Sequence, residues 1–128
     1  MISYYLVTGL GGGLGAITRV ALIKIIPSTI ANHNLPIKIL AINFIGCFIM
    51  GYIAEWMEIF EKGSQGTLQN FLISGFLGGF TTFSAFSLEF WQIINRNMIS
   101  SAISYALISY IATLGAFFIG YKLAKLLT

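Results

Sequence analysis

Apolar residues dominate this chain in four long runs, interrupted by short polar breaks at residues 27–36, 58–67 and 95–97. A helix needs roughly 20 predominantly apolar residues to cross the hydrocarbon core of a bilayer. The pattern therefore predicts four transmembrane helices, at about residues 4–26, 37–57, 68–94 and 98–123. Together they form a single four-helix domain over 1–128, an all-α integral membrane protein. The first run has no basic residue before it, and Arg19 and Lys24 fall late in it, so it reads as a retained helix and not as a signal peptide.

Composition strengthens this picture. Of the 128 residues, 57% are hydrophobic and 9% charged, too little polar surface to cover a water-soluble domain, and the mean hydropathy is +0.87. Cys47 is the lone cysteine and lies within the second run, so no disulfide framework or paired-cysteine metal site is available. The net charge of +3 comes from scattered single residues and forms no cluster that could track nucleic acid. His33, between Pro27 and Pro36 with Asn32 and Asn34, reads as a solvated turn residue. Glu55, Glu58, Glu61, Lys62, Gly63, Ser64 and Gly66 read as a solvated cap closing the second helix.

Polar residues inside the spans narrow the function. The first helix carries Gly9, Gly11, Gly12, Gly13, Gly15 and Ala16, a surface that another helix can approach closely. Arg19, further along, is either a snorkelling anchor or a cation drawing anions into a vestibule. In the second helix Asn43 shares a face with Gly46, Cys47, Met50, Gly51 and Ala54; its amide can bridge helices, contact a permeant species, or do both. The third run contains GFLGGFTTFSAFSLE at residues 75–89, where Gly78, Gly79, Thr81 and Thr82 are weak helix formers and mark an expected break near the middle of the helix. Non-helical backbone at membrane depth survives only when buried in protein or facing water. Beyond the break, Phe83, Phe86 and Phe90 share one helix face beside Thr82, Ser84 and Ser87. The fourth helix places Ser101, Tyr105, Ser109 and Thr113 at successive steps of four, a hydroxyl track on an apolar helix.

This is a series of weak hydrogen-bond donors and aromatic ring edges suited to carrying an anion. No nucleophile–base pair or metal-ligand set accompanies it, so no enzyme is indicated. Glu55 at a helix end and Glu89 near the far end of the third helix leave no central carboxylate for a small multidrug antiporter. A non-transporting subunit of a larger membrane complex would account for the small-residue faces but not for the hydroxyl track. Lys62, Lys122 and Lys125 stand on the side of the termini, and Lys24, Lys38 and Arg96 on the other. Without a lysine and arginine bias the chain can insert either way up, and it can pair with an inverted copy of itself.

Three stretches carry a family resemblance: GGLGAITR at residues 12–19, NFIGCFIMG at 43–51 and GFLGGFTTFSAFSLE at 75–89. They resemble the signatures of the CrcB/Fluc family of bacterial fluoride channels, in a chain of matching length and helix number. Departures are Val20 where the family commonly has an aromatic residue, Leu77 and Ala85 where Cys and Thr are frequent, and Cys47 in place of a common Ser. The resemblance implies an antiparallel, dual-topology homodimer in the bacterial inner membrane, exporting fluoride passively through two pores. It implies that Phe83, Phe86 and Asn43 contact fluoride, that Thr82, Ser84, Tyr105, Ser109 and Thr113 continue the track, and that Arg19 lies in the vestibule. It also implies a structural sodium ion on the dimer axis, held by the main-chain carbonyls of Gly78 and Thr81.

Overall fold

The computed structural model describes residues 2–27, 29–30, 33–60 and 66–128. Asn32 and the polar stretch Glu61, Lys62, Gly63 and Ser64 lie outside the described residues. Helix α1 spans Ile2–Ile25, and a short antiparallel pair, β1 (Thr29–Ile30) with β2 (His33–Pro36), leads into α2 (Lys38–Phe60). The third span is composite. It begins with α3 (Thr67–Gln69), widens into a π-helical stretch over Asn70–Leu77, and tightens again in α4 (Gly78–Phe80). Thr81 (φ −79°, ψ 158°) and Thr82 (φ −155°, ψ 120°) are then extended, and α5 (Phe83–Asn95) follows. Helix α6 (Ile99–Leu127) closes the chain. Four helical segments, Ile2–Ile25, Lys38–Glu58, Thr67–Asn95 and Ile99–Leu127, are long and apolar enough to cross a membrane.

Two seams of close backbone approach organise the molecule. Along the first, α1 lies against the π-helical stretch and α4: a Cβ on Gly11 would run into the Phe71 carbonyl, and one on Gly15 into the Phe76 carbonyl. Gly79 answers from the other side, since a Cβ there would strike the Gly12 carbonyl. Along the second, α2 crosses α6 reciprocally, with Gly51 against the Phe117 carbonyl and Gly120 against that of Phe48. Lipid offers no hydrophobic drive for helices to associate, so this intimate van der Waals contact through small residues is what binds the spans. Gly9 and Gly13, on the other face of α1, have open space around them.

Consequently the third span changes partners along its length. Its first half belongs to α1, whereas α5 packs on α6, where Ile93, Ala102 and Tyr105 form a buried cluster flanked by Phe86, Phe90 and Met98. A Schellman turn makes the crossing from α5 to α6 tight: Met98 N–H donates to Ile93 O and Asn97 N–H to Ile94 O, with Asn97 at φ 57°. Leu10, Ile17, Leu88, Trp91, Ile111 and Phe118 face outward, as suits a lipid-facing surface.

Two sequence expectations are corrected here. Gly78 and Gly79 sit inside α4, so the extended residues are the two threonines and not the glycines; Gly79 serves the close approach to Gly12. Glu55, expected in a solvated cap, is buried. Helix α2 runs on past it to Phe60, and the Tyr121 hydroxyl of α6 lies near its carboxylate.

Candidate functional site

The site begins with the two extended threonines. Thr81 N–H still completes a helical bond to Leu77 O at 3.0 Å, but Thr82 N–H donates to Asn43 Oδ1 at 2.8 Å. Asn43 Nδ2 in turn donates to Thr82 O at 3.0 Å. Its amide thus stands in for a neighbouring strand, satisfying the donor and the acceptor of one residue at membrane depth. Asn43 can reach because Gly46, one turn on, lets α2 press against Thr81; a Cβ there would strike Thr81 Cγ2. The Thr82 hydroxyl caps α5 by accepting from Ala85 N–H at 3.2 Å and lies 3.1 Å from the Ser84 hydroxyl.

A cavity of 450 Å³ opens beside this junction, between α5 and α6. Asn43, Phe83, Phe86, Ser109 and Thr113 line it, together with Ala106, Leu107 and Tyr110. Phe83 and Phe86 lie 5.4 Å apart between ring centroids at 35°, and Phe86 stacks on Tyr105 at 5.3 Å. Phe83 is 78% exposed, so one wall of the cavity is unfinished within a single chain. A smaller cavity of 210 Å³ is lined by Asn43, Cys47, Thr81, Thr82, Phe83 and Thr113. Asn43, Phe83 and Thr113 border both.

The hydroxyls of α6 are not equivalent. Thr113 Oγ1 donates back to Ser109 O at 2.8 Å, within its own helix. Tyr105 is buried and its hydroxyl donates to Glu89 Oε2, so it supports the wall behind Phe86 and does not line either cavity. The Ser109 hydroxyl is buried and makes no full hydrogen bond within the chain, although it lies near that of Tyr105. Ser109 contributes to the wall of the larger cavity while its hydroxyl oxygen is itself buried.

Arg19 turns inward, its Nη1 donating to Thr81 O at 3.4 Å. Of the residues singled out from sequence, Asn43, Phe83, Phe86, Ser109 and Thr113 meet at the larger cavity, whereas Thr81 and Thr82 border the smaller one. Ser84 touches Thr82 but lines neither, and Gly78 lies in α4 one turn before the junction. Sequence reasoning missed Tyr110 in the wall, and it placed Glu89 near the end of the third helix without finding its bond to Tyr105 behind the wall. Glu89 was the more discoverable, because an ionisable residue within an apolar span needs a polar partner.

Comparison with known proteins assigns the chain to a family. Residues 6–121 match the family described as CrcB-like protein, Camphor Resistance (CrcB). A fluoride-specific ion channel FluC from Francisella philomiragia subsp. philomiragia is 39% identical over 119 residues, covering 91% of this chain and 90% of that protein. The FluC of Francisella tularensis subsp. mediasiatica is 38% identical over the same shares. That of Hahella chejuensis is 33% identical over 127 residues, 98% of both chains. These relatives are named as ion channels and not as enzymes. With four spans and a family match across almost its whole length, this multi-pass membrane protein belongs to the CrcB family.

Proposed function

We propose that the protein is a fluoride-selective channel of the bacterial inner membrane, working as an antiparallel homodimer that exports fluoride by passive electrodiffusion through two pores. The observation that carries this reading is the larger cavity, lined by Asn43, Ser109 and Thr113 together with the rings of Phe83 and Phe86. A small anion sheds its water only where donors replace it one by one, none holding too tightly. Ser109, the second N–H of Asn43 and the electropositive ring edges supply such contacts. Tyr105, Thr82 and Ser84 position the wall and the junction, and Thr113 extends the track. Arg19 raises the anion concentration at the mouth. Among the described residues no carboxylate, histidine or lysine lines the cavity, which favours uncoupled flow over proton exchange.

The dimer is supported by the unfinished cavity wall at Phe83 and by the even distribution of lysine and arginine between the two sides. A structural sodium ion fits the carbonyls named for it. In a continuous helix Gly78 O would receive Thr82 N–H and Thr81 O would receive Ala85 N–H, but these donors go to Asn43 Oδ1 and Thr82 Oγ1. Gly78 O is therefore denied its helical donor, and Thr81 O holds only the long contact from Arg19 and has a second lone pair to offer. Sodium, when bound there by two copies, would supply positive charge to the core.

The test is fluoride efflux from liposomes containing the purified protein, read with a fluoride electrode, with valinomycin dissipating the voltage and chloride as control. Rapid, valinomycin-dependent fluoride release without chloride release is expected. No fluoride release from folded protein rejects the channel reading.

A further inference from the structure

Asn43 makes two hydrogen bonds to a single residue, and the direction of one of them has a consequence for the turn before it. Helical pairing is regular through Thr81, whose N–H reaches Leu77 O. The next bond in that series would run from Thr82 N–H to Gly78 O. Asn43 Oδ1 takes that proton at 2.8 Å, while Asn43 Nδ2 fixes the far side of the residue by donating to Thr82 O at 3.0 Å. We infer that Asn43 is the positioning residue that creates the cation cradle: by drawing Thr82 N–H out of the helix it keeps the Gly78 carbonyl free for an ion.

This inference rests on the sodium-holding channel proposed above. Its support is geometric. A backbone carbonyl at membrane depth that has lost its helical donor can be met by the returning Thr82 N–H or by a cation. Removing the Asn43 amide removes what holds Thr82 extended. The end of α4 can then extend by one residue, within its own seam, satisfying Gly78 O internally and erasing one of its ligand positions. The Ala85 N–H bond to Thr82 Oγ1 belongs to the same arrangement, because that cap requires the extended Thr82. Asn43 also borders both cavities, so the residue that holds the junction at the smaller one is also part of the wall of the larger one. Occupancy of the two is thereby linked through one side chain, and linkage of this kind is reciprocal.

The experiment is a sodium titration of the purified protein in detergent, followed by ²³Na line broadening and by sodium-dependent thermal stabilisation. Three variants are compared with the unaltered protein. Asn43→Leu keeps the volume and removes both bonds. Asn43→Ser carries the test should the leucine variant not fold. Thr113→Val borders the same two cavities but gives up only a bond within its own helix. Sodium affinity is expected to fall about tenfold or more in both Asn43 variants and to hold in Thr113→Val. Unchanged affinity at Asn43 with a clear response in the unaltered protein overturns the inference alone. An equal loss in Thr113→Val also overturns it, since the effect is then general loosening. No sodium response in the unaltered protein overturns the cation reading and the inference with it.

Discussion

Ser109→Ala should make the protein more stable and a poorer channel at once. In the single chain the Ser109 hydroxyl is buried at 7% exposure and has no hydrogen-bond partner. Leaving such a group unsatisfied costs about 1–3 kcal/mol. Alanine removes one oxygen and its penalty, less a small packing loss, so a gain of about 0–2 kcal/mol in resistance to unfolding is expected. Flux moves the other way. A hydrogen bond from a hydroxyl to a charged group contributes about 1.5–3 kcal/mol. At about 1.4 kcal/mol per tenfold in rate, its loss at a barrier slows fluoride by roughly ten- to 150-fold. Unfolding by denaturing detergent gives the first quantity and liposome efflux the second, on the same preparation. A variant that is destabilised by about 1 kcal/mol or more, with flux unchanged, would mean that the hydroxyl is a structural partner and not a donor to the passing ion.

Two further outcomes follow from the seams and from the charge pattern. Gly15→Ala should destabilise by about 1–3 kcal/mol, because the new methyl meets the Phe76 carbonyl and the Phe80 amide nitrogen, backbone atoms that cannot swing aside. Gly13→Ala, half a turn round the same helix with nothing within 4 Å, should be neutral or gain up to about 1 kcal/mol; equal costs at both positions would discredit the seam. In a Cys47→Ala background, Thr128→Cys should be labelled by an impermeant maleimide in about half of the copies from either face of the membrane. Labelling of every copy from one face alone would refute dual topology.

The four spans were legible because apolar length is read directly from the chain, and lipid-facing helices need no long-range knowledge to be recognised. Asn43 was legible as a residue with work to do inside a membrane, yet its actual partner was not. Both its bonds go to Thr82, 39 positions away, and depend on how closely Gly46 lets α2 approach. The glycines of the third span misled in a specific way. Gly79 has low helix propensity, but contact with Gly12 rewards a helical residue without a side chain, and that contact outweighs propensity. The π-helical turns over Asn70–Leu77 carry no compositional mark. Nor does the pairing of Tyr105 with Glu89, which exists only because the Schellman turn at Asn97 folds α6 back along α5.

Why the chain tolerates an extended pair of residues at membrane depth follows from how its neighbours divide the labour. The π-helical stretch and α4 are clamped to α1 by Gly11, Gly15 and Gly79, while α5 is clamped to α6 through Ile93, Ala102 and Tyr105. Each half is held by a different helix, so the two cannot relax into one continuous rod without breaking a seam. The junction between them must then find polar partners from elsewhere, since hydrocarbon supplies none. Asn43 meets Thr82 from α2, Arg19 meets Thr81 from α1, and the Thr82 hydroxyl closes the start of α5. A purely structural junction would end there, with every group satisfied. Here Gly78 O loses its helical donor at the junction, and the buried hydroxyls of Ser109 and, on α1, Thr8 have no hydrogen-bond partner. Those leftover groups support the proposed anion path and cation site, because a junction that only joined two helices would have no use for them.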